Sequence, residues 1–338
     1  MDQKNTIEHK TILITGGTGS FGHAVVERLL SLNPVKLIIF SRDENKQFDM
    51  GNRFNNDKLR FIVGDVRDMD SVNRAMHGVD FVFHAAALKQ VANCEFFPLE
   101  AIKTNTLGAH NIINAAISNN VKRVVLLSTD KAVHPIGVMG MTKALMERIM
   151  LAAAREKRGQ TKVCVTRYGN VIYTRGSVIP VFIEQMKGGK PITLTNKNMT
   201  RFMMTIRDSV DLILYALMEG GNGAIYIKKT PAATMGDLAA ALVEIFDYEK
   251  GTIEIGIRPG EKMHESLISS EEILRVEDLR DYFKIGPEIQ GVNLNGLTEG
   301  GYTSANTKRL EAEELRELLL SLEEIQEELR LFRNKVYA

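Results

Sequence analysis

Six short apolar runs, rich in β-branched residues and separated by stretches of helical period, constrain this chain more than any other feature. They are TILIT (11–15), KLIIF (36–40), RFIVGDV (60–66), DFVFHAA (80–86), RVVLLST (123–129) and KVCVTRY (162–168). A strand with one wet face alternates apolar and polar residues. These runs do not alternate, as expected of strands covered on both faces. Helical periodicity occupies 21–32, 43–54, 68–76, 99–119 and 138–157 between them. Parallel neighbours need a crossover, and a helix supplies it while covering the sheet. The expected fold is α/β, a Rossmann-like doubly wound parallel sheet with ligands at the carboxyl ends of its strands.

After Tyr168 the rhythm loosens. Short strands at 192–195, 224–229 and 252–257 mix with helices near 206–218 and 234–246. Residues 1–170 are expected to form a dinucleotide-binding domain. Residues 171–338 should form mainly a smaller α/β substrate lobe, with segments returning to the first sheet. The stretch 286–305, rich in Gly and Asn, reads as a loop or flap able to reach a neighbour. From Glu311 a charged amphipathic helix should pack through Leu315, Leu318 and Leu319. The net charge of +1 gives no reason to expect nucleic acid or an acidic membrane as a partner. No apolar run reaches about 18 residues. The opening MDQKNTIEHK lacks the apolar core of a signal peptide. Cys94 and Cys164 make no disulfide framework, which fits a cytoplasmic protein. No metal site is expected.

TGGTGSFG directly follows the first run, and its Gly16, Gly19 and Gly22 open the first helix. Glycines there permit a tight turn and let backbone N–H groups approach a pyrophosphate at the helix N-terminus. Dinucleotide binding is expected through Gly16, Gly17, Thr18, Gly19, Ser20, Phe21 and Gly22. The second strand ends in Ser41-Arg42-Asp43. A guanidinium there suits a 2′-phosphate, where a carboxylate alone would repel it, so NADP is the expected cofactor. Asp43 either joins that site or caps the next helix. Asp65 and Val66 are placed to border the adenine, and Ala85, Ala86 and Ala87 to let ribose and nicotinamide lie close.

The stretch VVLLSTDKAVHPIGVMGMTKALME (124–147) carries the reactive groups. Ser128, Thr129, Asp130 and Lys131 end the fifth strand, and Lys143 follows on a helix, placed to hold the nicotinamide ribose. Met139, four residues before Lys143, cannot exchange a proton. Lys89, after the fourth strand, faces the same strand ends. His84 and His134 are proton-handling alternatives by type alone, with core packing and loop capping as their plainer roles.

The motifs TGGTGSFG, HAAALKQV, LSTDKAVHPIGVMGMTK, RYGNV…RGSVIP, MTRFMMT, KTPAATMGDLA, RPGEKMHESL and YTSANTKRL span nearly the whole chain. Together they resemble the extended short-chain dehydrogenase/reductases that modify nucleotide sugars. More narrowly, they are similar to inverting UDP-N-acetylglucosamine 4,6-dehydratases. Most of that superfamily carries Y-x-x-x-K. Met139 at the Tyr position is similar to an M-x-x-x-K subgroup associated with UDP-N-acetyl-L-fucosamine for capsule and O-antigen. The resemblance implies transient oxidation at C4 by NADP, loss of water across C5 and C6 with inversion at C5, and hydride return to C6. It implies Lys131 as base at C5, Asp130 as acid for the 6-hydroxyl, and Thr129 or Ser128 at the 4-oxygen. Lys46, Asn105, Tyr168 and Asn170 join the cofactor set. A UDP-sugar would meet Lys89, Asn170, Arg175, Ser177, Arg201, Arg258, Glu261 and Asn306. A homo-oligomer, dimer or hexamer, is also implied. A UDP-sugar 4-epimerase and a non-catalytic NADP-sensing protein on the same fold stay open as alternatives.

Overall fold

The computed structural model describes residues 6–156, 159–174, 176–258, 260–288 and 300–336. The chain divides into two compact units. The first comprises Met1–Tyr168, Ile206–Lys229 and Leu267–Gly301; the second comprises Gly169–Thr205, Thr230–Ser266 and Tyr302–Ala338.

The first unit is built on the expected sheet. Its strands β1 (Thr11–Thr15), β2 (Lys36–Ser41), β3 (Leu59–Val63), β4 (Phe81–His84), β5 (Arg123–Leu127) and β6 (Lys162–Arg167) form the parallel body. Ile225–Lys228 adds a parallel strand beside β6, and Tyr282–Ile285 and Val276–Asp278 extend that side antiparallel. The strand order away from that edge is β6, β5, β4, β1, β2, β3. The chain therefore winds outward in opposite directions from β1 and β4, and their carboxyl ends flank the switch point where such sheets bind ligands.

Helices α1 (Ser20–Leu30), α2 (Glu44–Phe54), α3 (Met69–Ala75), α4 (Val91–Phe96), α5 (Pro98–Ala101), α6 (Gly108–Ser118) and α7 (Val138–Glu156) cover the sheet. Val25, Val26 and Leu29 of α1 share one buried cluster with Ile12 and Ile14 of β1. Val210, Ile213 and Leu217 of helix Ile206–Glu219 belong to the same cluster. The strands end sooner than their apolar runs: β3 at Val63, β4 at His84 and β5 at Leu127. The residues beyond leave the sheet as loops. The single helix expected over 99–119 is three pieces, α5, a π-helical turn Ile102–Leu107, and α6. The wide turn accompanies a side-chain latch made by Asn105, described with the site.

The second unit holds a three-stranded sheet of Ala232–Thr234, Thr200–Met204 and Asn170–Val171. Its buried cluster draws Phe182 and Ile183 from helix Val178–Lys187, Leu238 and Leu242 from Met235–Ile245, and Leu315, Leu319 and Ile325 from the end of the chain. Leu318 packs against it partly buried. The expected C-terminal helix is two, Ala312–Leu320 and Glu323–Val336; Glu311 and Glu314 start the first with a reciprocal capping box. Of the presumed flap at 286–305, residues 289–299 lie outside the described ones. Among the described residues, no helix is long and apolar enough to cross a membrane.

Candidate active site at the strand tips

The glycine turn after β1 packs as the pattern requires. Gly16 has φ +68°, and a Cβ there would sit 2.7 Å from the amide nitrogen of Ala86. A Cβ on Gly22 would fall 2.0 Å from the carbonyl oxygen of Gly17, so the first turn of α1 lies directly on the loop. At Gly19, by contrast, the nearest such atom is 3.9 Å away, and this N-cap residue has no side chain to offer the helix amides. The turn thus leaves an open, uncapped helix N-terminus, which suits a pyrophosphate. The N-terminus of α7 differs: the Glu95 carboxylate accepts from Val138 N at 2.7 Å. Phe21 packs its ring 5.8 Å from that of Tyr168, whose hydroxyl is held neutral by burial and then by the Asp130 charge.

Past β2, Asp43 takes the plainer of its two roles. It caps α2 through Lys46 N at 3.0 Å and pairs with Lys46 Nζ at 2.6 Å. Ser41 Oγ accepts from Gln47. Arg42 remains 55% exposed, 3.8 Å from Asp65. Burial works against the Asp65 charge, but three hydrogen bonds from Arg67 outweigh it and hold the carboxyl below its usual range. The Val66 side chain is buried, with Cγ2 only 2.8 Å from where a Gly108 Cβ would be, so it packs under α6 and leaves the backbone to border a ligand.

Ala85, Ala86 and Ala87 are half-buried after β4, with Ala86 N donating to Thr15 Oγ1 at 3.2 Å; Lys89 is exposed on the same loop. Asn105 is fully buried and its amide is committed. Oδ1 accepts from Leu88 N at 2.8 Å, while Nδ2 donates to Leu88 O and Thr142 Oγ1, each at 3.0 Å. It ties the loop after β4 to α7 and has no donor left for a ligand. His84 is wholly buried with Nδ1 2.7 Å from Thr15 Oγ1; burial, then the Lys143 charge, pushes it down to about 3. Its place inside the sheet against β1 makes it a core residue. His134 is an exposed loop residue at φ +46°.

The end of β5 concentrates the chemistry. Asp130 is buried. Its Oδ1 accepts from Thr129 Oγ1 at 2.7 Å and from Lys131 Nζ at 3.1 Å, while its buried Oδ2 has no hydrogen-bond partner among the described residues. Lys131 keeps 29% of its side chain exposed. A buried carboxylate with one oxygen unpaired is costly, and such atoms mark places where a ligand or water completes the set. Ser128 corrects another expectation: it is buried and its hydroxyl donates to Glu147, so Thr129 is left as the hydroxyl at this tip. Lys143 Nζ donates to Leu127 O at 2.7 Å, anchoring α7 to β5. Met139 is buried in an apolar cluster with Cys94 and Ala101.

Beneath this tip lies a network absent from the sequence reading. Glu147 accepts from Arg167 Nε at 3.0 Å and Nη2 at 2.5 Å, and Arg167 also holds Glu272 at 2.8 and 3.0 Å. Two signals pointed to it. Glu147 is four residues after Lys143, hence on the same helix face, and Arg167 is a charge inside an apolar strand run.

In the second unit, Asn170 is exposed and Ser177 Oγ accepts from Thr174 N at 3.1 Å. Arg201 turns inward: nearly buried, it donates to Thr200 O at 2.7 Å and rests Nη2 on Met199 Sδ at 2.8 Å. Of the two guanidinium groups expected to reach phosphate, only Arg258 is exposed. Glu261 Oε2 accepts from Arg258 N at 3.5 Å, and Asn306 Oδ1 from Thr303 N at 2.8 Å; both order loops. Arg175 lies outside the described residues. Among the described residues no His/Cys/Asp/Glu group could hold a metal ion.

The family described as polysaccharide biosynthesis protein matches residues 12–287, and its C-terminal companion matches 293–326. The chain belongs to the polysaccharide biosynthesis protein family. This family member is 55% identical, over 336 residues, to a UDP-glucose 4-epimerase of Rickettsia conorii, covering 95% of this chain and 98% of that one. Among solved structures, Pen from Bacillus thuringiensis superposes with a TM-score of 0.87 at 37% identity, covering 94% of this chain and 100% of Pen. DesIV, a dTDP-glucose 4,6-dehydratase of Streptomyces venezuelae with NAD and TYD bound, shares the fold at a TM-score of 0.69 and 21% identity, covering 93% and 99%. The family member is thus an enzyme of the nucleotide-sugar epimerase/dehydratase superfamily.

Proposed function

We propose that this enzyme is an NADP-dependent UDP-N-acetylglucosamine 4,6-dehydratase that inverts C5. The observation that carries the reading is the Asp130–Lys131 pair at the β5 tip, 3.1 Å apart, with a buried carboxylate oxygen unpaired among the described residues. Dehydration needs an acid and a base close together: a proton for the departing 6-hydroxyl and a base for the C5 proton. A carboxylate and an ammonium in contact become such a set by one internal proton transfer. That transfer gains where water is excluded, because it removes two charges.

Nicotinamide dinucleotide, when bound, supplies the acceptor for hydride from C4 and returns the hydride at C6. The open helix N-terminus at Gly19 fits its pyrophosphate, and the exposed Arg42 fork fits a 2′-phosphate. Lys143 holds the nicotinamide ribose from its anchor on Leu127. Thr129, whose hydroxyl donates to Asp130 in the structure, turns that hydroxyl to the 4-oxygen once Asp130 is protonated, and the carbonyl character there after oxidation loosens the C5 proton. Lys131 removes that proton, and Asp130 protonates the leaving hydroxyl so that it departs as water. Met139, packed in its apolar cluster, takes no part, and the 4-hydroxyl proton passes to water, directly or by way of Lys131, which releases it before taking the C5 proton. Sugar and diphosphate contacts by Lys89, Asn170, Arg175, Ser177, Arg258, Glu261 and Asn306 belong to the same proposal.

The name of the Rickettsia relatives favours a second reading, a UDP-sugar 4-epimerase. Mass analysis after incubation with UDP-N-acetylglucosamine separates the two. The dehydratase gives a product about 18 Da lighter, one water, and the epimerase an isomer of unchanged mass.

A further inference from the structure

Lys143 and Glu147 stand one turn apart on α7, both buried, and each reaches the end of β5. Lys143 Nζ donates to Leu127 O at 2.7 Å, and Glu147 Oε1 accepts from Ser128 Oγ at 2.5 Å. The last residue of β5 and the first beyond it are thereby pegged by two successive helix turns. A slip of the helix would break both bonds at once.

Glu147 is itself clamped. Arg167 donates to both its oxygens, and the rest of the guanidinium is taken by Glu272 and by Leu267 O at 2.8 Å. Counted over Lys143, Glu147, Arg167 and Glu272, the formal charges cancel. Burying three charges and half-burying a fourth to pin one helix is expensive when apolar packing would serve. The network lies where the chain leaves β5 for Asp130 and Lys131, and where Lys143 meets the strand.

Lys143 also has charged or titratable neighbours from the elements packed against it. His84 comes from β4 and Glu147 from its own helix, with Arg167 of β6 behind Glu147, and the turn carrying Asp130 and Lys131 packs against the same helix at Gly140. Glu95 of α4 sits at the start of its helix. Burial pulls Lys143 down to about 8, and the Glu147 carboxylate works in the opposite sense.

We propose that Glu147, clamped by Arg167, is a positioning residue of the active site: it fixes the register of α7 on the β5 tip and supplies the counter-charge that keeps Lys143 an ammonium donor. The inference rests on the strand-tip site being a nucleotide-sugar active site. It does not depend on which product forms, because epimerisation and dehydration both begin with oxidation at C4.

The test is the pH profile of kcat/KM, with NADP affinity and Tm measured alongside, for the full chain and its Glu147→Gln and Ser128→Ala variants. Product mass reports separately on the reaction. In the unaltered protein, activity should fall as pH rises through about 8, where burial places the loss of the Lys143 proton. Without the carboxylate charge that fall begins at lower pH. Glu147→Gln should therefore lose roughly tenfold at pH 9 but less than about threefold at pH 7. Ser128→Ala, which retains the charge and loses one peg, should lower kcat severalfold at every pH with the profile in place and KM little changed. A folded Glu147→Gln protein with an unshifted profile overturns the counter-charge role. A Ser128→Ala protein with full kcat overturns the register role, and that arm stands even where Glu147→Gln does not fold.

Discussion

Lys131 and Asp130 differ in what their loss should do. Lys131→Ala removes the proposed C5 base while leaving the glycine turn and Arg42 untouched. Water loss from UDP-N-acetylglucosamine should fall at least a hundredfold, with NADP affinity, measured by calorimetry, within about twofold. Near-normal turnover would refute the base assignment. Arg42→Ala should weaken NADP by roughly tenfold and leave NAD almost unchanged, because a charge-assisted contact to the 2′-phosphate exists only in NADP. Equal losses for the two nucleotides would remove the basis for expecting NADP. At this scale the sequence was legible for chemical type and less so for direction. Asp130, Lys131 and Lys143 gather at one strand end as their spacing suggests. Ser128 turns inward just past its strand end and Arg201 within the strand Thr200–Met204, each directed by hydrogen bonds of the fold that no periodicity encodes.

The glycine turn, the π-helical segment and α7 set the site's geometry as elements. Gly22→Ala drives a methyl into the backbone of Gly17, an atom that cannot swing aside. It should cost on the order of 3 kcal/mol and lower Tm clearly, with NADP binding weakened in whatever protein folds. A Tm within a degree of the unaltered protein would contradict the packing described for that turn. The six parallel strands and their crossovers could be read from apolar runs and helical period, because each is a local pattern. The break of the 99–119 helix could not. It accompanies the contacts of Asn105 with Leu88 and Thr142, 17 and 37 residues away, and such contacts leave no local mark. The pairing of Glu147 with Arg167 is also long-range, although helical spacing from Lys143 and a charge inside an apolar run mark its two members.

At the scale of the molecule, the first unit is completed by chain that follows residue 170. Strand Ile225–Lys228 covers the edge of β6, and helix Ile206–Glu219 contributes Val210, Ile213, Leu214 and Leu217 to the core beneath β1. A fragment ending at residue 170 should therefore expose both an unpaired strand edge and an apolar face. It is expected to aggregate, or to give no cooperative thermal transition by circular dichroism. A fragment that is monomeric and melts sharply would show that the returning segments are dispensable. The central claim is dehydration by the carboxylate–amine pair. Its most direct test is turnover of UDP-N-acetylglucosamine in deuterium oxide, read by mass spectrometry and NMR. The account predicts a product that has lost one water and carries solvent deuterium on C5. An isomer that keeps all its atoms, with C5 still bearing its original hydrogen, would contradict it.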